Sequence, residues 1–309
     1  MKATSTDGRG LITRRHRNLL LVASVLTYLL VTLGGIVCVT DSSRGCPDWP
    51  ACYGQLLPPM RIDSILEYAH RATAALTSVA IAASAVVGFR KPRSIRWVAW
   101  PPLVAIFLLL LVSAFGAMAV LRGLEPGLAA LDLGSALGVL ALMIAATMVA
   151  FAHHKKPTLP CRPSVHDSFA RLALWALVGV FIVLVSGVLV ATEGSPVRCL
   201  SWPLYGGNWP VAEGLAWLQW VRRLLAGVVG ILLITMAVHA WRRPRAIRVT
   251  SVAVGASFVL ETVIGALMAL YGSPVSLQVA HTAMAAALWA SLVVLTGLAS
   301  LLPTHNTMS

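Results

Sequence analysis

Charge is what this sequence has least of. Asp, Glu, Lys and Arg together make up 11% of its 309 residues, where a soluble domain carries roughly 25%. That scarcity excludes the soluble globular and disordered classes. Acids are the rarer sign, 11 Asp and Glu against 24 Lys and Arg. Cysteine is also sparse. Five residues are too few for a disulfide scaffold, and their spacing lacks the paired CxxC pattern of a zinc site. What fills the chain instead is apolar: 58% of residues are hydrophobic and the mean hydropathy is +0.82. A net charge of +13 would suit a nucleic-acid binder, but the basic residues sit in short clusters between long apolar runs, so no nucleic-acid partner is expected. Length alone would suggest about two soluble domains, and composition overrides it.

Eight apolar runs reach the roughly 20 residues that cross a bilayer core: 18–40, 64–88, 97–120, 128–151, 172–192, 214–240, 249–271 and 277–302. The first is too long for a removed signal peptide, and seven more follow it. Backbone groups in lipid must pair within their own segment, so the runs are expected to be helices and the fold an all-α polytopic membrane protein. Lys2, Arg9, Arg14, Arg15 and Arg17 precede the first run. Arg90, Lys91, Arg93 and Arg96, then Lys155, Lys156, Arg162 and Arg171, then Arg242, Arg243, Arg245 and Arg248 fill every second loop. Seventeen of the 24 basic residues therefore fall on one side, the cytoplasmic one by the positive-inside rule. A multi-pass protein of the cell membrane with both termini in the cytoplasm follows, its excess charge facing anionic lipid. Asp41, Asp48, Asp63, Glu67, Glu125, Asp132, Glu193 and Glu213 lie at or near the other side, with Trp49, Trp202 and Trp209 as interfacial anchors.

The chain also repeats itself at an offset of about 150 residues. Cys46-Pro47-Asp48-Trp49-Pro50 matches Cys199-Leu200-Ser201-Trp202-Pro203, Glu67-Tyr68-Ala69-His70-Arg71 matches Gln219-Trp220-Val221-Arg222-Arg223, and Asp132 falls on His281. Each repeat holds an even number of spans, so both share one orientation, the parallel kind of membrane repeat. The predicted organisation is a cytoplasmic tail (1–17), a four-helix bundle (18–151), a cytoplasmic linker (152–171), a second four-helix bundle (172–302) and a short tail (303–309).

Ionisable groups inside a bilayer are costly and are functional candidates by default. His16, His153, His154, His166, His239 and His305 lie at the cytoplasmic side and read as solvated or snorkelling side chains. His70 and His281 lie inside spans, near the outer surface. Glu67 precedes His70 by three residues and shares its helix face. Arg71 can reach the outer rim. Imidazole is a common haem-iron ligand, and the interior of a four-helix bundle suits a flat macrocycle. Cys46 and Cys52 stand in an outer loop with five residues between them, where a disulfide is permitted; two free thiols are the alternative. Cys199 has no partner in its own loop, and Cys38 and Cys161 read as inert thiols. Glu261, deep in the seventh run, is either a hydrogen-bonded core acid or part of a proton path.

These residues resemble the haem A synthase family of cytochrome oxidase assembly over nearly the whole chain, about 18–302. The resemblance rests on the duplicated eight-span pattern, the C-P-D-W-P-x-C-x-G-Q loop from Cys46 to Gln55, the E-x-x-H-R motif from Glu67 to Arg71, and R-R-L-L-A-G from Arg222 to Gly227. It implies oxidation of the haem O methyl group to the formyl group of haem A at the outer membrane face, with substrate haem in the N-terminal half and a haem b cofactor in the C-terminal half. It implies Glu67 as the catalytic acid, His70 and His281 as haem-iron ligands, Cys46–Cys52 as a disulfide, and Arg71 and Arg223 as propionate contacts. Two ligand positions depart from the family pattern: Asp132 and Arg222 stand where it has histidine. Each half therefore keeps one imidazole, and Arg, always protonated, is a poor ligand. The implied partners are haem O or its synthase, the oxidase assembly machinery, membrane lipid and a second copy of the chain. The competing expectations are a non-catalytic haem-binding or assembly factor of the same fold and a transporter, the latter opposed by the lack of a polar midplane site.

Overall fold

The computed structural model describes residues 12–48, 51–55, 57–90, 95–122, 125–155, 163–192 and 216–301. The described residues form eight long helices and one short 3-10 turn at Ser42–Arg44. The helices are α1 (Arg14–Val39), α2 (Ile62–Phe89), α3 (Arg96–Arg122), α4 (Pro126–Lys155), α5 (Ser168–Thr192), α6 (Ala216–Ala240), α7 (Arg245–Tyr271) and α8 (Val275–Leu301). All eight contain segments long and apolar enough to cross a membrane. They match the eight apolar runs, and several reach further at the basic end. There α1 starts at Arg14, α4 continues to Lys155 and α5 starts at Ser168. Long basic side chains extend toward water while their stems stay on apolar surface, so the helix need not stop where hydropathy does.

Contacts trace a closed ring in each half. α1 packs on α2, α2 on α3, α3 on α4 and α4 back on α1; α5, α6, α7 and α8 repeat that order. Helices α2 and α4 occupy opposite corners of one ring, α6 and α8 opposite corners of the other. The shared order is consistent with a tandem duplication. The halves meet where α4 and α1 pack on α5 and α8. There the Trp289 indole N–H donates to the Leu137 carbonyl at 3.0 Å, and an added Cβ at Gly35 would fall 2.0 Å from Thr282 Cγ2. Glycine is thus required for that crossing.

Close packing is concentrated toward the basic end. One cluster joins Leu140, Ala173, Val229, Leu233, Met236, Val254 and Leu292. A second joins Leu20, Ala23, Ile81, Val98, Met143 and Val149. Ser24 and Thr147 hydroxyls bridge α1 and α4 at 2.8 Å. Toward the end that carries the Cys46–Cys52 loop the pattern changes: residues 31–36, 132–136, 183–189 and 277–285 are half-buried on every face of their helices. The apolar core therefore ends short of the disulfide end in both halves.

Two histidines differ from their expected setting. His16 and His153 are buried at the basic end rather than solvated, because α1 and α4 extend a turn past their apolar runs and carry both rings between packed helices. His166 and His239 are exposed as expected. Cys161, Cys199 and His305, with Trp49, Trp202, Trp209, Glu193 and Glu213, lie outside the described residues.

Candidate functional site

The loop between α1 and α2 is built by short-range constraints. Cys46 and Cys52 form a disulfide, and Cys52 and Gln55 exchange backbone hydrogen bonds at 3.2 Å in each direction. Tyr53 and Gly54 adopt left-handed backbone at φ 55° and 67°, which turns both N–H groups onto the Asp48 carboxylate at 2.6 Å. Those donors, Gly54 foremost, hold the Asp48 carboxyl below its usual range. Gly45 passes so close to α2 that a Cβ there would sit 2.4 Å from the Asp63 carbonyl oxygen. Its own carbonyl accepts from the Ser64 hydroxyl at 2.7 Å. The loop is thereby pinned over the start of α2.

Beneath it lie Glu67 and Arg71, one helical turn apart. Arg71 Nε donates to Glu67 Oε1 at 2.7 Å, and the two side chains are only 12% and 8% exposed. The remaining guanidinium nitrogens donate to the carbonyls of Asp48, Ala51 and Cys46. Arg71 is thus engaged by the carboxylate and by the disulfide loop, rather than projecting to the rim as a propionate contact. His70 faces α1, where a Cβ on Gly34 would stand 3.1 Å from its Nε2. Asp132, on α4 at the opposite corner, keeps a buried Oδ1 with no hydrogen-bond partner among the described residues.

The C-terminal half presents a related arrangement with different chemistry. Arg222 on α6 lies against Gly187 of α5, where an added Cβ would be 2.8 Å from its guanidinium. Its Nε donates to the Val183 carbonyl at 3.2 Å. Gly187 stands to Arg222 as Gly34 stands to His70, which continues the repeat into the partner helices. His281 on α8 brings Nδ1 within 3.1 Å of Glu261 Oε1 on α7. Arg222 lies within electrostatic range of both groups. Arg223 follows on α6 and is half-buried.

Sequence reasoning placed Glu67 and His70 on one helix face and the cysteine pair in the preceding loop; the structure sets that loop over the start of α2. Sequence reasoning missed two pairings. The Glu67–Arg71 bridge has i,i+4 spacing, a spacing that leaves a long arginine side chain equally able to reach the rim. The Glu261–His281 contact joins residues at similar distances either side of the α7–α8 turn. Gly272 takes a left-handed φ of 74° there, and antiparallel helices bring such positions level. No cluster of three or more His, Cys, Asp or Glu suited to a bare metal ion occurs among the described residues.

These features define a class: a polytopic helical membrane protein with, among the described residues, one imidazole toward the disulfide end of each ring and a buried carboxylate under a disulfide loop. Residues 17–293 match the family model described as cytochrome oxidase assembly protein, and the chain belongs to that family. It is similar to a heme A synthase of Exiguobacterium sibiricum, 28% identical over 72% of this chain and 75% of the relative. It is also similar to one of Listeria monocytogenes, 26% identical over 92% of this chain and 96% of the relative. The family is one of oxidoreductases that bind haem and convert haem O to haem A.

Proposed function

We propose that this chain oxidises the methyl group of haem O to the formyl group of haem A. The observation that carries this is Glu67, buried and ion-paired with Arg71, one turn from His70 and under the disulfide loop. A fixed carboxylate beside the substrate methyl stabilises positive charge developing there, or relays its proton, and such electrostatic terms are among the largest in catalysis. His70 orients or ligates the substrate haem, with the Asp132 oxygen that has no partner among the described residues opposite. Arg71 positions Glu67 and ties its place to the loop. The disulfide end is the outer face and both termini are cytoplasmic, as the basic residues indicate. The N-terminal ring, 18–151, takes the substrate and the C-terminal ring, 172–302, the resident cofactor.

The residues of the C-terminal ring fit a haem b held by one imidazole and do not fit a two-imidazole site. His281 would supply the ligand and Arg223 would face a propionate. When bound, such a haem supplies one-electron and oxygen chemistry. A second reading, a haem-binding assembly factor without turnover, is favoured by Asp132 and Arg222 standing at ligand positions. Partners on either reading are haem O or its synthase, the oxidase assembly machinery and a second copy of the chain. Co-expression with a haem O source, followed by chromatography of extracted haems, separates the two. Haem A in the extract supports the enzyme. Bound haem with no haem A or hydroxylated product overturns it in favour of the assembly factor.

A further inference from the structure

The C-terminal ring holds an acid that the proposed reaction does not use. Glu261 is deep in α7, its side chain 12% exposed, and its Oε1 lies 3.1 Å from His281 Nδ1. Neither that nitrogen nor the acid's other oxygen, Oε2, completes a hydrogen bond among the described residues, so the contact is one of proximity and charge rather than an aligned bond. A carboxylate buried in an apolar helix is costly unless something holds it there. Arg222 on α6 gives its Nε to the Val183 carbonyl on α5 and stays within electrostatic range of Glu261, while the imidazole is the group that Glu261 touches. Metal-bound histidines commonly give their second ring N–H to a carboxylate, which fixes the tautomer, orients the ring and makes the ligand more basic. With Nδ1 turned to Glu261, Nε2 is the nitrogen left for iron.

The opposite corner of the ring completes the arrangement. α6 and α8 stand at opposite corners of the ring, and Arg222 on the one lies within electrostatic range of His281 on the other. On one side is an imidazole backed by a carboxylate; on the other is a guanidinium that cannot ligate iron but can donate hydrogen bonds to an anionic or oxygen ligand. We propose that the C-terminal ring would hold its haem through one imidazole, with Glu261 as the positioning residue for His281 and Arg222 as a hydrogen-bond donor to a small ligand bound there. This rests on the haem reading of that ring and says what kind of haem it is: one built for a small exogenous ligand rather than for electron transfer alone.

The test uses the full-length chain purified with its haem and needs no turnover. His281→Ala should lose one haem component, which identifies the C-terminal one; retention of all haem overturns the proposal. In the reduced protein that component should be five-coordinate, with an iron–imidazole stretching band at the high frequency of a strongly hydrogen-bonded ligand. Glu261→Gln should keep the haem, move the band to lower frequency and raise the midpoint potential. The band responds to the histidine bond itself, which a change in overall charge would not mimic. An unchanged band in Glu261→Gln overturns the pairing. Should that variant fail to fold, Arg222→Gln/Glu261→Gln leaves neither charge unpaired and gives the same readout. Carbon monoxide binding that is equally fast in Arg222→Gln and wild type overturns the role of Arg222. Failure of these spectra leaves the N-terminal reading standing, because Glu67→Gln tests that separately through the haems produced.

Discussion

Glu67 and Arg71 make the sharpest case for what one residue does. Glu67→Gln keeps volume and hydrogen bonding but removes the charge. We expect conversion of haem O to fall about 100- to 1,000-fold, as for loss of one preorganised electrostatic group, with haem still bound; chromatography of extracted haems measures it. Arg71→Met strands a buried carboxylate and releases the carbonyls of Cys46, Asp48 and Ala51. Removing one partner of a buried ion pair costs about 3–5 kcal/mol, so this variant should be the less stable of the two in a thermal melt. That Glu67 and His70 lie one turn apart on α2 was legible in the sequence, because helical spacing of three places two side chains on one face. The role of Arg71 was not, because three of its four partners are backbone carbonyls, which every residue has. The buried setting of His16 and His153 was hidden for a related reason: hydropathy reports where an apolar run stops, not where a helix does.

At the scale of the element, the loop from Gly45 to Gln55 behaves as one unit bound to α2. Cys46 and Cys52 should react with a thiol reagent only after reduction; equal labelling without reductant would refute the disulfide. Gly45→Ala forces a Cβ toward the Asp63 carbonyl and should lift the loop, seen as faster proteolysis between α1 and α2. The Asp48 carboxylate carries a pH signature. Its folded value is depressed by the Gly54 and Tyr53 N–H groups. Its contribution is therefore present above the unfolded value of about 3.9 and is lost as pH falls through the folded value. Loop protection should hold from neutral pH to about 5 and fail in stronger acid, and Asp48→Asn should flatten that dependence. The loop motif announced itself through its Cys, Pro and Gly residues. The α7–α8 pairing of Glu261 with His281 did not, because no local pattern reports which residues a helical turn brings level.

At the scale of the molecule, number and order of helices were legible because eight apolar runs of bilayer length leave few alternatives. The two rings each have a single imidazole at the disulfide end, so the purified protein should show mainly high-spin or mixed-spin haem in its optical spectrum. A clean low-spin bis-imidazole spectrum would show that Asp132 and Arg222 do not stand at ligand positions. The converse is a gain: Arg222→His should turn one haem component low-spin. Reporter fusions should place both termini and the 156–167 segment on one side of the membrane, and an external signal from that segment would reverse the topology.

The uneven distribution of close packing along the helices has a kinetic consequence. Local opening is governed by how much buried contact must be broken, so a single helix should not have a single protection level. In α8, amides of 286–301 should exchange slowly and those of 277–285 quickly, although both stretches are regular helix of similar composition. In α1, amides near Leu20 and Ala23 should outlast those of 31–36. The protein would then breathe like a sheaf tied at one end, its basic half acting as a fixed base while the half that carries the disulfide loop opens more readily. Hydrogen exchange in detergent, resolved to peptides within α1 and α8, should show that gradient.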